Sequence, residues 1–413
     1  MSEDNKKVSE KSRGVYLICA GIVALIFLGS SPVEAAPKKK IKAVASAPTG
    51  SDEEDGVSSA GPGCKAQLLM DYRTGEVLFE QNGHERLRPA SMVKLMLAYV
   101  VLNKLKEGEL NLADTVTASA EASKVGGSQV YLKQGETFTV KELLEAVLIQ
   151  SANDACVALA EHISGTKDAF VQLMNDTAKD LGMAESEFHY PHGLPPNKGE
   201  SPDVVSAYDF AVLSRALIQN FPEVLEYTGK IEAPFRGGAF IMRNHNKLLI
   251  HYPGADGMKT GFYGEAGFSV TATATKNGER MIAVAMGCNN RKFRDAETAK
   301  LLSKGFSQFK TVRILKKGET LAPRIAVVNG EKVDAQAIAA EDVRVTLRPN
   351  EQEKVAQVSA LCPALTAPAT LGTACGKVLL KVGEREVGSV TALLGEELVA
   401  ATGLKKFLKY FGK

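Results

Sequence analysis

Two strand-forming stretches placed at opposite ends of a helix-rich segment constrain this chain more than any other feature. Ala66-Gln67-Leu68-Leu69-Met70-Asp71-Tyr72 runs to the turn Arg73-Thr74-Gly75 and returns as Glu76-Val77-Leu78-Phe79, which is the pattern of a hairpin. Residues 268–274 and 281–286 repeat it around Lys276-Asn277-Gly278-Glu279, and Asn-Gly is the pair that two-residue hairpin turns select. Between the two lie apolar patterns of helical period over residues 92–105, 140–163, 167–181 and 207–219, the last opened by Ser206 as a cap. Residues 294–309 read as a closing helix. Hairpin, helices, hairpin and helix predict an α/β fold of the α+β kind: an antiparallel sheet in which the two ends of the sequence meet, with a helical lobe inserted between them.

The remaining sequence divides around that body. A length of 413 residues suggests two domains with flanking segments. Lys6, Lys7, Lys11 and Arg13 precede an apolar run over 15–28, short for a bilayer span but suited to a signal-peptide core, and small residues follow at Ala35 and Ala36. Residues 1–36 are therefore read as a signal peptide, the alternative being an uncleaved anchor; both export the chain. Residues 37–63 have almost nothing to bury and read as a disordered linker. The sheet and its helices span 64–311 as a first domain. Short strands such as Val343-Arg344-Val345-Thr346-Leu347 then predict a small all-β sandwich over 312–393. In 394–413, Leu404, Phe407, Leu408 and Phe411 share one helical face and Lys405, Lys406, Lys409 and Lys413 occupy the other. This is the profile of an amphipathic helix at a membrane surface, with docking on the protein's own sandwich as the alternative.

Several functional classes are excluded. A net charge of +2 and no aromatic-studded basic groove argue against a nucleic-acid partner. His189 and His192 are the only close histidine pair and sit in a Pro/Gly-rich loop without helical spacing, so neither a metal site nor another cofactor is expected.

Three motifs carry the chemistry. Ser-x-x-Lys occurs at Ser91/Lys94, Ser164/Lys167 and Ser307/Lys310, but only the first opens a strongly apolar helix, where Ser91 and Lys94 would share a face. A serine hydroxyl needs a base to take its proton, and a lysine serves only if burial or nearby positive charge lowers its pKa. Ser151-Ala152-Asn153 abruptly ends an apolar helical run, and polar residues there need partners. Lys259-Thr260-Gly261 begins a strand after a turn, and its glycine would let a ligand backbone approach. Taken singly, each has a structural explanation: a helix start, a local cap, a solvated edge lysine.

Jointly, in this order, the motifs resemble those of penicillin-recognising serine enzymes. With Arg88-Pro89-Ala90-Ser91-Met92-Val93-Lys94, Asn244-His245-Asn246-Lys247-Leu248-Leu249 and Gly257-Met258-Lys259-Thr260-Gly261, the chain is similar to the low-molecular-mass serine-type D-alanyl-D-alanine carboxypeptidases from about Cys64 to the C-terminus. The resemblance implies a β-lactamase/transpeptidase-like fold and acyl transfer on peptidoglycan stem peptides ending in D-Ala-D-Ala, with acylation by β-lactam antibiotics. Ser91 would attack and Lys94 accept its proton. Ser151 would relay a proton to the leaving amine, and Asn153 would hold the substrate amide or Lys94 itself. Lys259 would keep Lys94 partly neutral and, with Thr260, receive the terminal carboxylate; the N–H groups of Ser91 and Phe262 would form the oxyanion hole. Phe262-Tyr263 after Gly261, and His245 where some members have arginine, depart from the family pattern and touch carboxylate recognition. No Glu-x-x-Leu-Asn segment follows Asn153, which argues against a class A β-lactamase. A DD-endopeptidase and a non-catalytic wall-binding or β-lactam-sensing protein are the competing readings.

The cysteines test the fold. If the first and last strands of the sheet are neighbours, Cys64 approaches Cys288 and can bridge to it. Cys362 and Cys375 are expected to form the more favoured bridge, across a loop of the β-domain, and Cys156 a buried thiol.

Overall fold

The computed structural model describes residues 63–403. The residues read as a signal peptide, nearly all of those read as a linker, and residues 404–413, which carry the amphipathic pattern, lie outside the described residues.

The sheet of the first domain has the order β2-β1-β9-β8-β7, built from β1 (Ala66–Asp71), β2 (Val77–Gln81), β7 (Ala255–Gly261), β8 (Phe268–Lys276) and β9 (Glu279–Cys288), every pairing antiparallel. The Asn277-Gly278 turn joins β8 to β9 with both residues left-handed, at φ 54° and 80°. β1 pairs with β9, so the ends of the sequence meet as the two hairpins predict. The Cys64–Cys288 disulfide closes the same junction across 224 residues.

Between β2 and β7 come α1 (Lys94–Glu107), α2 (Val140–Glu145), α3 (Asn153–Ser164), α4 (Lys167–Asp180), α5 (Ala207–Asn220), α6 (Val224–Thr228) and α7 (Leu248–His251). Two short hairpins join them: β3 (Thr115–Thr117) with β4 (Thr137–Thr139), and β5 (Glu232–Phe235) with β6 (Phe240–Arg243). α8 (Arg291–Gln308) follows β9. Side-chain caps start several helices, and the one at Ser206 is the cap expected from the sequence. Thr139 and Glu142 form a reciprocal capping box, Ser206 accepts from Asp209 N, and Asn290 accepts from Phe293 N.

The sheet is buried on both faces. Ala66, Leu68 and Met70 pack with the helical lobe, while Leu69 joins Val270, Ala272, Ala283, Leu301 and Leu302 on the α8 side. Strand alternation thus feeds two cores, which explains why β1 and β9 are apolar with so little interruption.

The second domain pairs β10 (Lys310–Leu315) with β13 (Val343–Leu347). Against this lies a six-stranded sheet of order β14-β16-β17-β12-β11-β15, from β11 (Thr320–Val328), β12 (Asp334–Ala339), β14 (Val355–Leu361), β15 (Leu365–Thr366), β16 (Ala374–Val382) and β17 (Arg385–Leu394). These enclose a separate core around Leu321, Val345, Val378 and Leu394. Two departures from expectation occur here. Leu394 ends β17, Leu398 is buried and bridges Ala369, and Ala400 bridges Gly330, so residues 394–400 belong to the sandwich. Cys362 and Cys375 are free thiols rather than a bridge. Cys362 N donates to Cys375 O at 2.9 Å, so the two residues are neighbours across the strands, but the Cys375 thiol turns into the core and donates to Ala392 O at 3.1 Å. Cys156 is the expected buried thiol.

Candidate active site

Ser91 lies in a 3-10 turn, Ala90–Val93, that leads directly into α1. Lys94 follows three residues later on the same strip of helix surface, and its Nζ reaches 2.9 Å from Ser91 Oγ. Ala90 takes φ 49°, a left-handed conformation that costs a residue with a Cβ on the order of 1–3 kcal/mol. Two distant glycines hold that turn. A Cβ on Gly193 would stand 2.0 Å from the Ala90 carbonyl oxygen, and one on Gly261 would stand 2.4 Å from that of Pro89.

The helix expected over 140–163 is not continuous. α2 widens into a π-type turn, Ala146–Gln150, and the chain breaks at Ser151, which is left-handed at φ 63°, before α3 restarts at Asn153. The extra residue in that turn shifts Ser151 and Asn153 out of helical register, and such interruptions concentrate at functional sites. Ser151 and Asn153 are 3% and 2% exposed. The Ser151 hydroxyl has no hydrogen-bond partner among the described residues, a state that a ligand group entering the site could relieve.

Lys94 is fully buried and surrounded by acceptors. Besides Ser91 Oγ, its Nζ donates to Asn153 Oδ1 at 2.7 Å and to the His192 carbonyl at 2.6 Å. The Asn153 amide is oriented by its own Nδ2, which donates to Gly126 O at 2.8 Å, so the oxygen faces Lys94. A neutral amine has two N–H donors and one lone pair. With Asn153 and His192 able only to accept at those positions, both N–H groups are taken, and the lone pair is left for the Ser91 hydroxyl. Burial lowers the Lys94 pKa to about 8, against the opposing pull of Cys156, Asp203 and Asp154. Desolvation is the largest cause of that lowering.

On β7, Lys259 and Thr260 are buried at 3% and 6% exposure, and Lys259 Nζ donates to Thr260 O at 3.0 Å. Gly261 ends the strand against the Ser91 turn, so its lack of a side chain serves chain-to-chain packing as well as any ligand approach. Phe262 comes next, half-buried and stacked on Phe268 with ring centroids 4.0 Å apart. His245 is exposed, while the asparagines beside it brace the strand: Asn246 Nδ2 donates to Gly257 O at 3.0 Å. Ser91, Lys94 and Asn153 are thus joined by hydrogen bonds, Ser151 lies two residues before Asn153, and the strand bearing Lys259 and Thr260, with Phe262 just after it, packs on the Ser91 turn through Gly261.

The other Ser-x-x-Lys pairs lack this setting. Lys167 forms an outward ion pair with Glu121 at 2.7 Å, and Lys310 is exposed. Sequence reasoning missed the loop at 189–193, which supplies the His192 carbonyl, and it missed Asp154, whose buried carboxylate accepts from Val130 N and Leu132 N beside Asn153. The Pro/Gly richness of residues 191–196 marked a shaped loop without saying what it touched.

No cluster of three or more metal-type ligands occurs among the described residues, and no helix among them is long and apolar enough to cross a membrane.

Comparison with known proteins matches this geometry to a family. Residues 54–290 match the family model described as D-alanyl-D-alanine carboxypeptidase, and residues 309–400 match that of the penicillin-binding protein 5 C-terminal domain. The D-alanyl-D-alanine carboxypeptidase DacF of Bacillus subtilis is 35% identical over 369 residues, covering 88% of this chain and 93% of that protein. The crystal structure of penicillin binding protein 5 from Haemophilus influenzae superposes with a TM-score of 0.73 at 31% identity, covering 83% of this chain and 100% of that one. Penicillin-binding protein D2 of Listeria monocytogenes, in its ampicillin-bound form, gives a TM-score of 0.55 at 32% identity, covering 60% of this chain and 100% of that one. The Ser-Lys pair, the serine-asparagine break and the Lys-Thr-Gly strand all fall within the first matched region, and the chain belongs to the S11 family of D-alanyl-D-alanine carboxypeptidases.

Proposed function

We propose that this chain is an exported serine-type D-Ala-D-Ala carboxypeptidase that removes the terminal D-alanine from peptidoglycan stem peptides through an acyl-enzyme on Ser91. The observation that carries the reading is Lys94, fully buried, with its Nζ 2.9 Å from Ser91 Oγ and its other two hydrogen-bond directions taken by acceptors.

Ser91 Oγ attacks the carbonyl between the two D-alanines as its proton passes to neutral Lys94. The negative oxygen that forms is received by the Ser91 and Phe262 N–H groups. The C–N bond then breaks, and the leaving amine takes a proton from Lys94 through the Ser151 hydroxyl. Water attacks the ester with Lys94 again as base, releasing the shortened peptide and restoring Ser91. Asn153 holds Lys94, while Lys259 and Thr260 bind the substrate's terminal carboxylate. β-Lactams acylate the same serine. The localisation that fits is the periplasm or outer face of the cytoplasmic membrane, with residues 404–413 holding the protein at the lipid surface.

The test is incubation with a diacyl-D-Ala-D-Ala peptide and, separately, with labelled penicillin, using wild type and Ser91→Ala. Wild type releases D-alanine and takes the label; Ser91→Ala does neither. Label retained by Ser91→Ala would refute the nucleophile, and an acylatable wild type that cuts only crosslinked peptide would establish the endopeptidase instead.

A further inference from the structure

We propose that Asp203 is a positioning residue for the acylation step: it fixes the loop from His189 to Gly193, and through the His192 carbonyl it holds the Lys94 amine in the orientation that Ser91 requires. This rests on Lys94 being the base for Ser91.

The geometry runs as a chain of contacts. Asp203 is 4% exposed, and its Oδ1 accepts from two consecutive backbone donors, His189 N at 2.6 Å and Tyr190 N at 3.0 Å. A carboxylate taking paired amides in this way fixes the entry of the loop. His192 then turns the loop by accepting on Nδ1 from Leu194 N at 3.1 Å, and its ring stacks on Tyr190 with centroids 5.6 Å apart. Its carbonyl meets Lys94 Nζ at 2.6 Å, and Gly193 crosses the Ala90 carbonyl. Backbone strands pin the segment on the far side, where Val204 pairs with Glu187 and Val205 with Leu87. Asp203 is therefore joined to the Ser91 turn by one short stretch of braced backbone. If the loop moved, Lys94 would lose one of the two acceptors that aim its lone pair.

The second carboxylate oxygen is the unusual part. Asp203 Oδ2 is buried with no hydrogen-bond partner among the described residues. A carboxylate kept solely to accept two amides needs only one oxygen, and the same could be done by asparagine. Burial pushes the Asp203 pKa up to about 7, while the two amide bonds and Lys94 pull it down. The other titratable or charged groups around it are Tyr190 on its own loop, Tyr263 beyond β7 with Arg88 beside it, His192, which burial holds neutral, and Asp154 across Lys94. Among these, Lys94 is the ionisable group whose charge state acylation depends on. An ionised Asp203 stabilises the Lys94 ammonium and raises its pKa, so the residue sets both the placement of the amine and the pH at which it becomes a base.

The experiment compares rates of penicillin acylation for wild type, Asp203→Ala and Asp203→Asn from about pH 5 to about pH 10, a span covering the carboxyl and lysine transitions. Asparagine keeps an acceptor for His189 N and Tyr190 N but carries no charge. Asp203→Ala is expected to acylate roughly 10- to 100-fold more slowly at its plateau, the loss typical of a displaced reacting group. Asp203→Asn is expected to recover most of the plateau, with its acidic limb moved to lower pH because the Lys94 ammonium has lost a stabilising charge. Asp203→Ala acylating as fast as wild type would overturn the proposal, and so would an Asp203→Asn limb that coincides with that of wild type. If Asp203→Ala fails to fold, judged by its melting transition, the Asp203→Asn limb alone decides. Labelling of wild-type Ser91 tests the underlying reading separately, so the two fail by different results.

Discussion

Gly261 lies against Pro89 so closely that a methyl group on it would stand 2.4 Å from the Pro89 carbonyl oxygen and 3.2 Å from Met92 N. The strand that carries Lys259 and the turn that carries Ser91 are therefore in backbone contact. Gly261→Ala must push β7 away from the nucleophile. The protein is expected to fold, because the remaining β7 to β8 pairing is unaltered, but penicillin acylation should fall by about 100-fold, the scale of an ångström-sized misplacement. The second-order acylation rate against the melting temperature of the variant checks this.

Lys94 is expected to act as base only when neutral. Its pKa of about 8 lies below the ordinary lysine value of 10.5 because of burial, so acylation should rise with pH and level off above about 8. The sign for stability comes from the same shift. Burial favours the neutral form, so this group's stabilising contribution is fully present above 10.5 and is lost as pH falls through the folded value. Lys94→Arg, which cannot become neutral, should abolish acylation at every pH. A flat pH profile in wild type would overturn the assignment.

Ser151 has a buried hydroxyl without a partner among the described residues, which separates its two conceivable contributions. Ser151→Ala removes no hydrogen bond seen there, so the melting temperature should stay close to wild type or rise. D-Alanine release should nevertheless drop by roughly 100-fold or more if the hydroxyl relays the proton to the leaving amine. Steady-state release of D-alanine, with calorimetry on the same sample, tests both halves.

The described cysteines divide into one bridge and three thiols. Alkylation of unfolded, unreduced protein should modify Cys156, Cys362 and Cys375 and leave Cys64 and Cys288 untouched until reductant is added. Cys64→Ser with Cys288→Ser should lower the unfolding free energy by about 2–5 kcal/mol, since the bridge closes a very long loop. Penicillin labelling should survive, because the disulfide pins the β1 to β9 junction rather than the Ser91 turn.

Much of this architecture is local and therefore written along the chain. The Asn277-Gly278 turn and the Thr139 and Ser206 caps each depend on neighbours within a few residues. Hairpins at both ends of the domain then leave one economical arrangement, the β1 to β9 pairing. The break at Ser151 was half visible. Polar residues closing an apolar run showed that something ended there, but the π-type turn that ends it has the same apolar period as an ordinary helix, so residues 140–163 read as continuous. The Cys362 and Cys375 pairing failed for a related reason. Sequence spacing places the residues on facing strands, but the direction of the Cys375 thiol is set by the packing of β17 behind it.

By itself, then, the sequence determined most of the secondary elements and the antiparallel closure of the sheet, and it picked out Ser91, Lys94, Ser151, Asn153 and Lys259 as candidates. The elements come from short-range periodicity, and the candidate groups from three motifs that carry weight only when taken together. Only the tertiary structure decided what surrounds the Lys94 amine. Its pKa is lowered by burial, and its lone pair is aimed by Asn153 and by a carbonyl 98 residues away at His192, on a loop that Asp203 secures. Desolvation and orientation are properties of what surrounds an atom in space, and a chain carries no mark of them until segments far apart in sequence have packed together.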